Sequence, residues 1–294
     1  MLLEWLKALL YGIVEGVTEW LPISSTGHLI LLSEWVPFRF PGNEAFADAF
    51  REFFDVIIQF GAILAVAVLY RERLFPVCRR NTPEERTRAL RLWGKVLFAC
   101  LPAAFVGVIG DALLERFTGR DLDGWIYNAW VVSLALIVYG VAFLIIERCN
   151  KKRVPAFSNA GEIPWRTAFL IGCFQVLALV PGTSRSGSTV LGGLLLGVSR
   201  GAAAEFSFFL ALPVMAGAGC VKAVGFLGFL RESGADVPPG AWVVLAVGCA
   251  VSFLVSMVSI RFLTGFVRKH SFAAFGVYRI LLGCAVLFHV WEVC

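Results

Sequence analysis

Glu15-Gly-Val-Thr-Glu19-Trp-Leu-Pro-Ile-Ser24-Ser25-Thr26-Gly27-His28 interrupts an otherwise apolar N-terminal run, and Pro181-Gly-Thr-Ser184-Arg185-Ser186-Gly187-Ser188 interrupts a second apolar run. A membrane-crossing helix needs about 20 apolar residues. The stretches near 2–36 and 166–198 are long enough in total, but Pro, Gly and Ser in the middle leave halves too short to cross. Broken helices at membrane depth survive where protein or a wet cavity surrounds them. Both stretches therefore read as re-entrant helical hairpins. Carboxylates, hydroxyls, a histidine and an arginine are costly at that depth, so they mark the place to look for chemistry.

Composition agrees with a bilayer setting. Of 294 residues, 59% are hydrophobic and 16% charged, with 26 Phe and nine Trp, and the mean hydropathy is +0.79. A soluble domain carries about 25% charged residues. The net charge of +5 sits in short loops between apolar spans, a pattern of membrane topology and not of nucleic-acid binding. The eight cysteines, Cys78, Cys100, Cys149, Cys173, Cys220, Cys249, Cys284 and Cys294, are scattered without a C-x-x-C pair. They indicate neither a disulfide framework nor a metal site. The first apolar run leads directly into the Glu15–His28 motif, so it reads as part of the fold and not as a cleaved leader.

Unbroken apolar stretches at 53–70, 92–110, 127–147, 204–228, 241–263 and 273–293 read as six spans. Segment 71–91 holds Arg71, Arg73, Arg79, Arg80, Arg86, Arg88 and Arg91, segment 148–153 holds Arg148, Lys151, Lys152 and Arg153, and Arg268 and Lys269 follow the fifth span. Segment 111–126 is acidic (Asp111, Glu115, Asp121, Asp123), and 37–52 and 229–240 carry few basic residues. The positive-inside rule puts the basic loops in the cytoplasm and the others outside. That alternation closes with six crossings if neither hairpin crosses. The first hairpin then enters from the outer face and the second from the cytoplasmic face. At an offset of 160, Gly12 matches Gly172, Glu15 matches Gln175, Ser24 matches Ser184 and Gly27 matches Gly187. With the same order of elements in each half, this predicts an inverted-topology repeat. The expected fold is an all-α integral membrane protein with six transmembrane helices and two re-entrant hairpins. It forms a single domain over 1–294, with repeats at about 1–150 and 160–294.

Glu15 and Glu19 are four apart and share one helix face. Their repulsion calls for a cation nearby: a bound metal, Arg185 or a shared proton. Ser24, Ser25 and Thr26 open the next half-helix, where hydroxyls cap and free N–H groups bind anions such as phosphate. His28, one turn further, is placed to act as a general acid or base. Arg185, flanked by Ser184 and Ser186, suits a bidentate phosphate contact, or a pairing with a carboxylate such as Glu19. Asp55, Gln59, Gln175 and Glu205 are expected to face the bundle interior, in supporting roles. No nucleotide-binding glycine pattern or paired histidines appear. The set fits metal-assisted attack on phosphorus better than acyl transfer.

The two motifs closely resemble the hallmark motifs of the undecaprenyl-diphosphatase family, also called bacitracin-resistance proteins. So do Asp55-Val-Ile-Ile-Gln59-Phe-Gly61-Ala-Ile-Leu-Ala-Val, Gly172-Cys-Phe-Gln175 and Gly197-Val-Ser-Arg200 with Glu205-Phe-Ser-Phe. The resemblance runs from about residue 10 to residue 280. It implies a bacterial inner-membrane hydrolase that removes the terminal phosphate of undecaprenyl diphosphate for reuse of the lipid carrier in peptidoglycan synthesis, and confers bacitracin resistance. It also implies a divalent cation, Mg²⁺ or Ca²⁺. Carried over position by position, Glu15 and Glu19 match the acidic motif, Ser25 the proposed nucleophile, His28 the motif histidine and Arg185 the phosphate-binding arginine. Asp55 departs from the family pattern, where many members carry Glu.

The resulting expectation is that Glu15 and Glu19 hold the cation, while Arg185, Ser24, Thr26, Ser184 and Ser186 hold phosphate. Ser25 attacks, with His28 or Glu19 taking its proton, and the site opens to the outer face. Direct attack by water is the variant of this mechanism. The rival class is a polyprenyl-phosphate transporter or flippase, since inverted repeats with discontinuous helices also build transporters. Beyond the lipid substrate and membrane lipids, glycine-rich faces at Gly12/Gly16 and Gly192/Gly193/Gly197 permit close packing, within one chain or in a homodimer.

Overall fold

The computed structural model describes residues 2–40, 44–75, 82–118 and 128–293. Its helices are α1 (Leu2–Thr18), α2 (Ser25–Trp35), α3 (Glu44–Leu69), α4 (Pro83–Thr118), α5 (Ala129–Asn150), α6 (Trp165–Val176), α7 (Arg185–Leu195), α8 (Arg200–Ser233), α9 (Ala241–Lys269) and α10 (Ala273–Val293). The β-structure among the described residues is one isolated bridge, Phe157 to Val198.

Among the described residues, five helices are long and apolar enough to cross a membrane: Glu44–Leu69, Pro83–Gly110, Ala129–Asn150, Arg200–Ser233 and Ala241–Lys269. The region of the sixth expected span is helix α10, whose apolar stretch Ala273–Phe288 is shorter than the other five and is not among the helices long enough to cross. Both interrupted stretches are broken as expected. Helix α1 has 17 residues and α2 has 11, so at 1.5 Å per residue neither reaches about 30 Å alone.

Several segments read as loops are partly helical: α3 begins at Glu44 within 37–52, and α8 runs on to Ser233 within 229–240. Within 71–91, Arg71–Leu74 forms a single turn and α4 begins at Pro83. The start signal is a capping box: Glu85 N–H donates to Thr82 Oγ1 at 3.3 Å and Thr82 N–H donates to Glu85 Oε2 at 2.8 Å. Pro83 occupies the first helical position, where its missing N–H costs nothing. Helix α4 also runs on through 111–118. Arg79 and Arg80 of the basic segment and Asp121 and Asp123 of the acidic one lie outside the described residues.

The packing explains the glycines. Helix α1 lies along α9, and α6 lies along α4. A side chain at Gly12 would come within 2.7 Å of the Gly248 carbonyl, and one at Gly172 would strike the Ala99 carbonyl. The first half of each broken motif is thus pressed against a long helix from the other half of the chain. Gly16 meets Ser252 and Val255, Gly192 meets Phe174 and Gly193 meets Ala203, so these faces are filled within the chain. Much of the Phe excess seals one end of the bundle, where Phe38, Phe50 and Phe54 pack edge-on and Tyr11 joins them. The outward faces of the long helices stay apolar, as at Leu64, Phe105, Val221, Val224, Leu254 and Val258. Large contiguous apolar surface of this kind suits a lipid surround.

Gly12→Val should cost about 1–3 kcal/mol through overpacking against α9. Gly225, which has nothing within 4 Å of a built Cβ, should accept Ala without loss. Thermal unfolding of the two purified variants in detergent measures the contrast.

Candidate active site

The two motif tips are built alike. Each ends in a serine with positive φ, Ser24 at 75° and Ser184 at 71°. Such backbone is uncommon outside glycine and costs on the order of 1–3 kcal/mol. Both serines cap the helix that follows: Ser24 Oγ accepts from Gly27 N–H at 3.3 Å and Ser184 Oγ from Gly187 N–H at 3.1 Å. The first N–H groups of α2 and α7 have no partner within their own helices. Both helix starts line one cavity of about 180 Å³, with Ser24, Ser25, Thr26, Ser184 and Arg185 on its polar side. Ala103, Leu179, Val214 and Met215 line its apolar side.

Glu19 is the hub. Ser25 Oγ donates to Glu19 Oε2 at 2.5 Å, and Arg185 Nη2 donates to Glu19 Oε1 at 3.0 Å. Arg185 Nη1 also donates to the Ser207 carbonyl at 2.7 Å. Thr189 Oγ1 donates to Ser207 Oγ at 2.8 Å, which fixes the wall that holds the guanidinium. Ser186 Oγ donates to the Glu19 carbonyl at 3.1 Å and lies 3.1 Å from Ser184 Oγ. Glu19, Ser25, Arg185 and the flanking serines therefore form one connected set drawn from both motifs.

His28 is oriented elsewhere. Its Nδ1 lies 2.7 Å from the Ser24 carbonyl and its Nε2 lies 2.7 Å from Tyr278 Oη. A carbonyl only accepts, so Nδ1 carries a proton, and Nε2 is joined to the Tyr278 hydroxyl. The carboxylate that touches Ser25 is Glu19.

Glu15 is fully buried, and neither of its oxygens has a hydrogen-bond partner among the described residues. The same holds for Asp55 Oδ1 and for both amide atoms of Gln175. Gln175 lines the cavity with Gln59. Glu205 does not join the site; it pairs with Arg73 at the other end of the bundle. A second cavity of about 750 Å³ shares Thr26 and Gln59 with the first and passes Asp55 on its way to Asp48 and Lys222. It serves as a vestibule.

Two residues were missed from sequence. Arg279 is completely buried and donates to the carbonyls of Pro22 at 3.0 Å, Gly182 at 2.8 Å and Thr183 at 2.9 Å. One guanidinium thus clamps both tips. Its signal was a lone arginine inside an apolar span, which is a functional flag at membrane depth. Ser207 lay within the quoted Glu205-Phe-Ser-Phe run, but nothing local ties it to Arg185.

The family model for bacitracin resistance protein BacA matches residues 8–285. The chain belongs to that family. Its relatives include the undecaprenyl-diphosphatase of Streptococcus mutans serotype c, 48% identical over 97% of this chain and 96% of that protein. That of Acetivibrio thermocellus is 46% identical over 98% of both, and that of Limosilactobacillus fermentum is 46% identical over 97% of both. With this family and its apolar helices, the chain is a multi-pass helical membrane protein.

Arg279→Met keeps an apolar stem but strands three buried carbonyls. It should lower stability by about 3 kcal/mol or more, since each unsatisfied group costs about 1–3 kcal/mol. Thermal unfolding in detergent checks this against Arg261→Met, at an exposed position, which should change little.

Proposed function

We propose that this chain hydrolyses undecaprenyl diphosphate to undecaprenyl phosphate and inorganic phosphate at the junction of the two motif tips. It thereby recycles the lipid carrier of peptidoglycan synthesis and confers bacitracin resistance. The observation that carries the reading is the buried Ser25–Glu19–Arg185 chain set between two helix starts. Phosphate oxygens are held by the free N–H groups of α2 and α7, by Ser24, Thr26, Ser184 and Ser186, and by Arg185. The apolar side at Ala103, Leu179, Val214 and Met215 takes the first prenyl units.

Glu19 receives the proton of Ser25 as Ser25 Oγ bonds to the terminal phosphorus and the bridging P–O bond breaks. The monophosphate leaves with that proton. Water then attacks the phosphoserine, giving a proton to Glu19, which returns it to Ser25 Oγ as inorganic phosphate departs. Arg185 offsets the negative charge gathered on the equatorial oxygens, the larger part of phosphoryl-transfer catalysis. His28 holds the Ser24 turn in place through its bond to the Ser24 carbonyl and its anchor on Tyr278.

A divalent cation fits the residues present. Glu15, with both oxygens unpartnered in a fully buried position, supplies the hard oxygen donors that Mg²⁺ and Ca²⁺ prefer. Among the described residues no group of three or more His, Cys, Asp or Glu forms a metal cage. That suits an ion held by one or two carboxylates, Glu15 and Glu19, together with the substrate phosphates. When bound, such an ion neutralises charge on the diphosphate.

Supporting a repeat at about 1–150 and 160–294 are the matching positive-φ caps and the reciprocal packing of α1 on α9 and α6 on α4. With α10 as the sixth span, the fold reads as six transmembrane helices and two re-entrant hairpins. Basic loop charge supports a vestibule that opens to the outer face of the bacterial inner membrane. Flipping of lipid as the primary activity has no use for a hydroxyl hydrogen-bonded to a carboxylate beside an arginine.

Phosphate release from a long-chain prenyl diphosphate by the purified protein, without any gradient, tests the function. Glu19→Gln, Ser25→Ala and Arg185→Ala should each lower kcat/KM by on the order of 10²-fold or more. Chelator should abolish release, with Mg²⁺ or Ca²⁺ restoring it. Glu15→Gln should raise the metal concentration needed by on the order of tenfold or more. Full activity in Ser25→Ala would move the attack to water.

A further inference from the structure

A third cavity, of about 660 Å³, lies at the end of the bundle opposite the vestibule. Asp48 lines the vestibule and Tyr70 lines this cavity. Both belong to or directly follow α3, so they stand about 33 Å apart at 1.5 Å per residue. The two are separate sites on opposite faces.

Five cations from four separate segments line it: Arg73, Lys151, Arg153, Arg200 and Arg268. Among the described residues, one carboxylate, Glu205, lines it with them. Topology alone puts basic residues in loops on this face, but it does not require them to converge on one concavity. The wall is also built and fixed. Ala156 N–H donates to the Gly197 carbonyl at 2.8 Å and Ser199 N–H to the Phe157 carbonyl at 2.9 Å. Asn150 and Arg153 donate to the carbonyls of Leu194 and Leu195 at 3.2 and 3.0 Å. The Gly197-Val-Ser-Arg200 and Glu205 run, which the catalytic site does not use, forms part of this wall.

The charges are not balanced. Arg73 pairs with Glu205. Arg200 is held by Glu147, with Nε at 2.9 and 3.1 Å from the two oxygens. Glu147 is buried behind the cavity and accepts from Phe272 N–H as well. Among the described residues, no carboxylate lies within ion-pairing distance of Lys151, Arg153 or Arg268. Like charges gathered in one concavity repel, and an entering anion relieves them. Arginine forks and a lysine, with Ser158 and Asn159 at the rim, match phosphate oxygens in particular.

We propose that this cavity is a second anion site, which binds a phosphate group presented at the membrane face opposite the active site. Phosphate of a lipid headgroup and free phosphate share this chemistry. The full-length protein is compared with a Lys151→Gln/Arg153→Gln/Arg268→Gln variant in two arms: equilibrium binding of inorganic phosphate in detergent, and retention of phosphatidylglycerol over phosphatidylcholine by native mass spectrometry. These side chains are exposed and line a cavity that shares no residue with the catalytic one, so hydrolysis should persist and report folding. A loss of tenfold or more in the phosphate arm supports the site with free phosphate as its ligand. Loss of the phosphatidylglycerol preference alone supports it with a lipid headgroup. Wild-type behaviour in both arms overturns it. Glu205→Gln, which removes the lining carboxylate, gives an independent reading of opposite sign. Binding should tighten several-fold in at least one arm, and unchanged or weaker binding in both contradicts the proposal.

Discussion

The Glu19–Arg185 ion pair is the constraint around which the bundle is organised. Its two side chains are 5% and 10% exposed, and they come from motifs 166 residues apart in the chain. A lone charge at that depth is prohibitive, whereas a paired and hydrogen-bonded one is tolerated. Neither motif can be placed there without the other. Ser186 bonding to the Glu19 carbonyl and Arg279 bonding to the carbonyls of both tips extend the same dependence to the backbone. What makes the interruptions tolerable in an apolar chain is that each tip satisfies the polar groups of the other.

The same economy brings reactive groups together. The carboxylate that neutralises Arg185 also accepts from Ser25, and the serines that cap α2 and α7 stand at helix starts that line the cavity. An arriving diphosphate, in the proposed mechanism, exchanges one set of satisfied contacts for another. Some strain remains in place: the two left-handed serines hold turns that only this packing enforces. Glu15 is fully buried without a hydrogen-bond partner among the described residues. In the proposed function, that is the position at which a cation is held.

The broken elements were legible because Pro22, Gly182 and the serine clusters punctuate apolar runs at two places, and punctuation is local. The gathering of Glu19, Ser25 and Arg185 followed from the costs of burial, which apply wherever the fold places them. Long-range geometry was not legible. Arg279 meets Pro22 across 257 positions, and Ser207 supports Arg185 from another helix. Spacing placed His28 near Ser25 on one helix, but hydrogen bonds to Ser24 and Tyr278 turn its ring away. At 71–91 the density of arginine suggested a loop, although Thr82-Pro83-Glu84-Glu85 spelled a helix start in the same stretch. Arginine density speaks to which membrane face a segment prefers, whereas capping chemistry set its shape.

The central claim is that Ser25, activated by Glu19, bonds to phosphorus. Its most direct test is the stereochemical course at the terminal phosphorus, using a prenyl diphosphate with an isotopically chiral terminal thiophosphoryl group. Two successive in-line displacements, through the serine and then through water, predict net retention of configuration. Net inversion would mean a single displacement by water and would contradict the account.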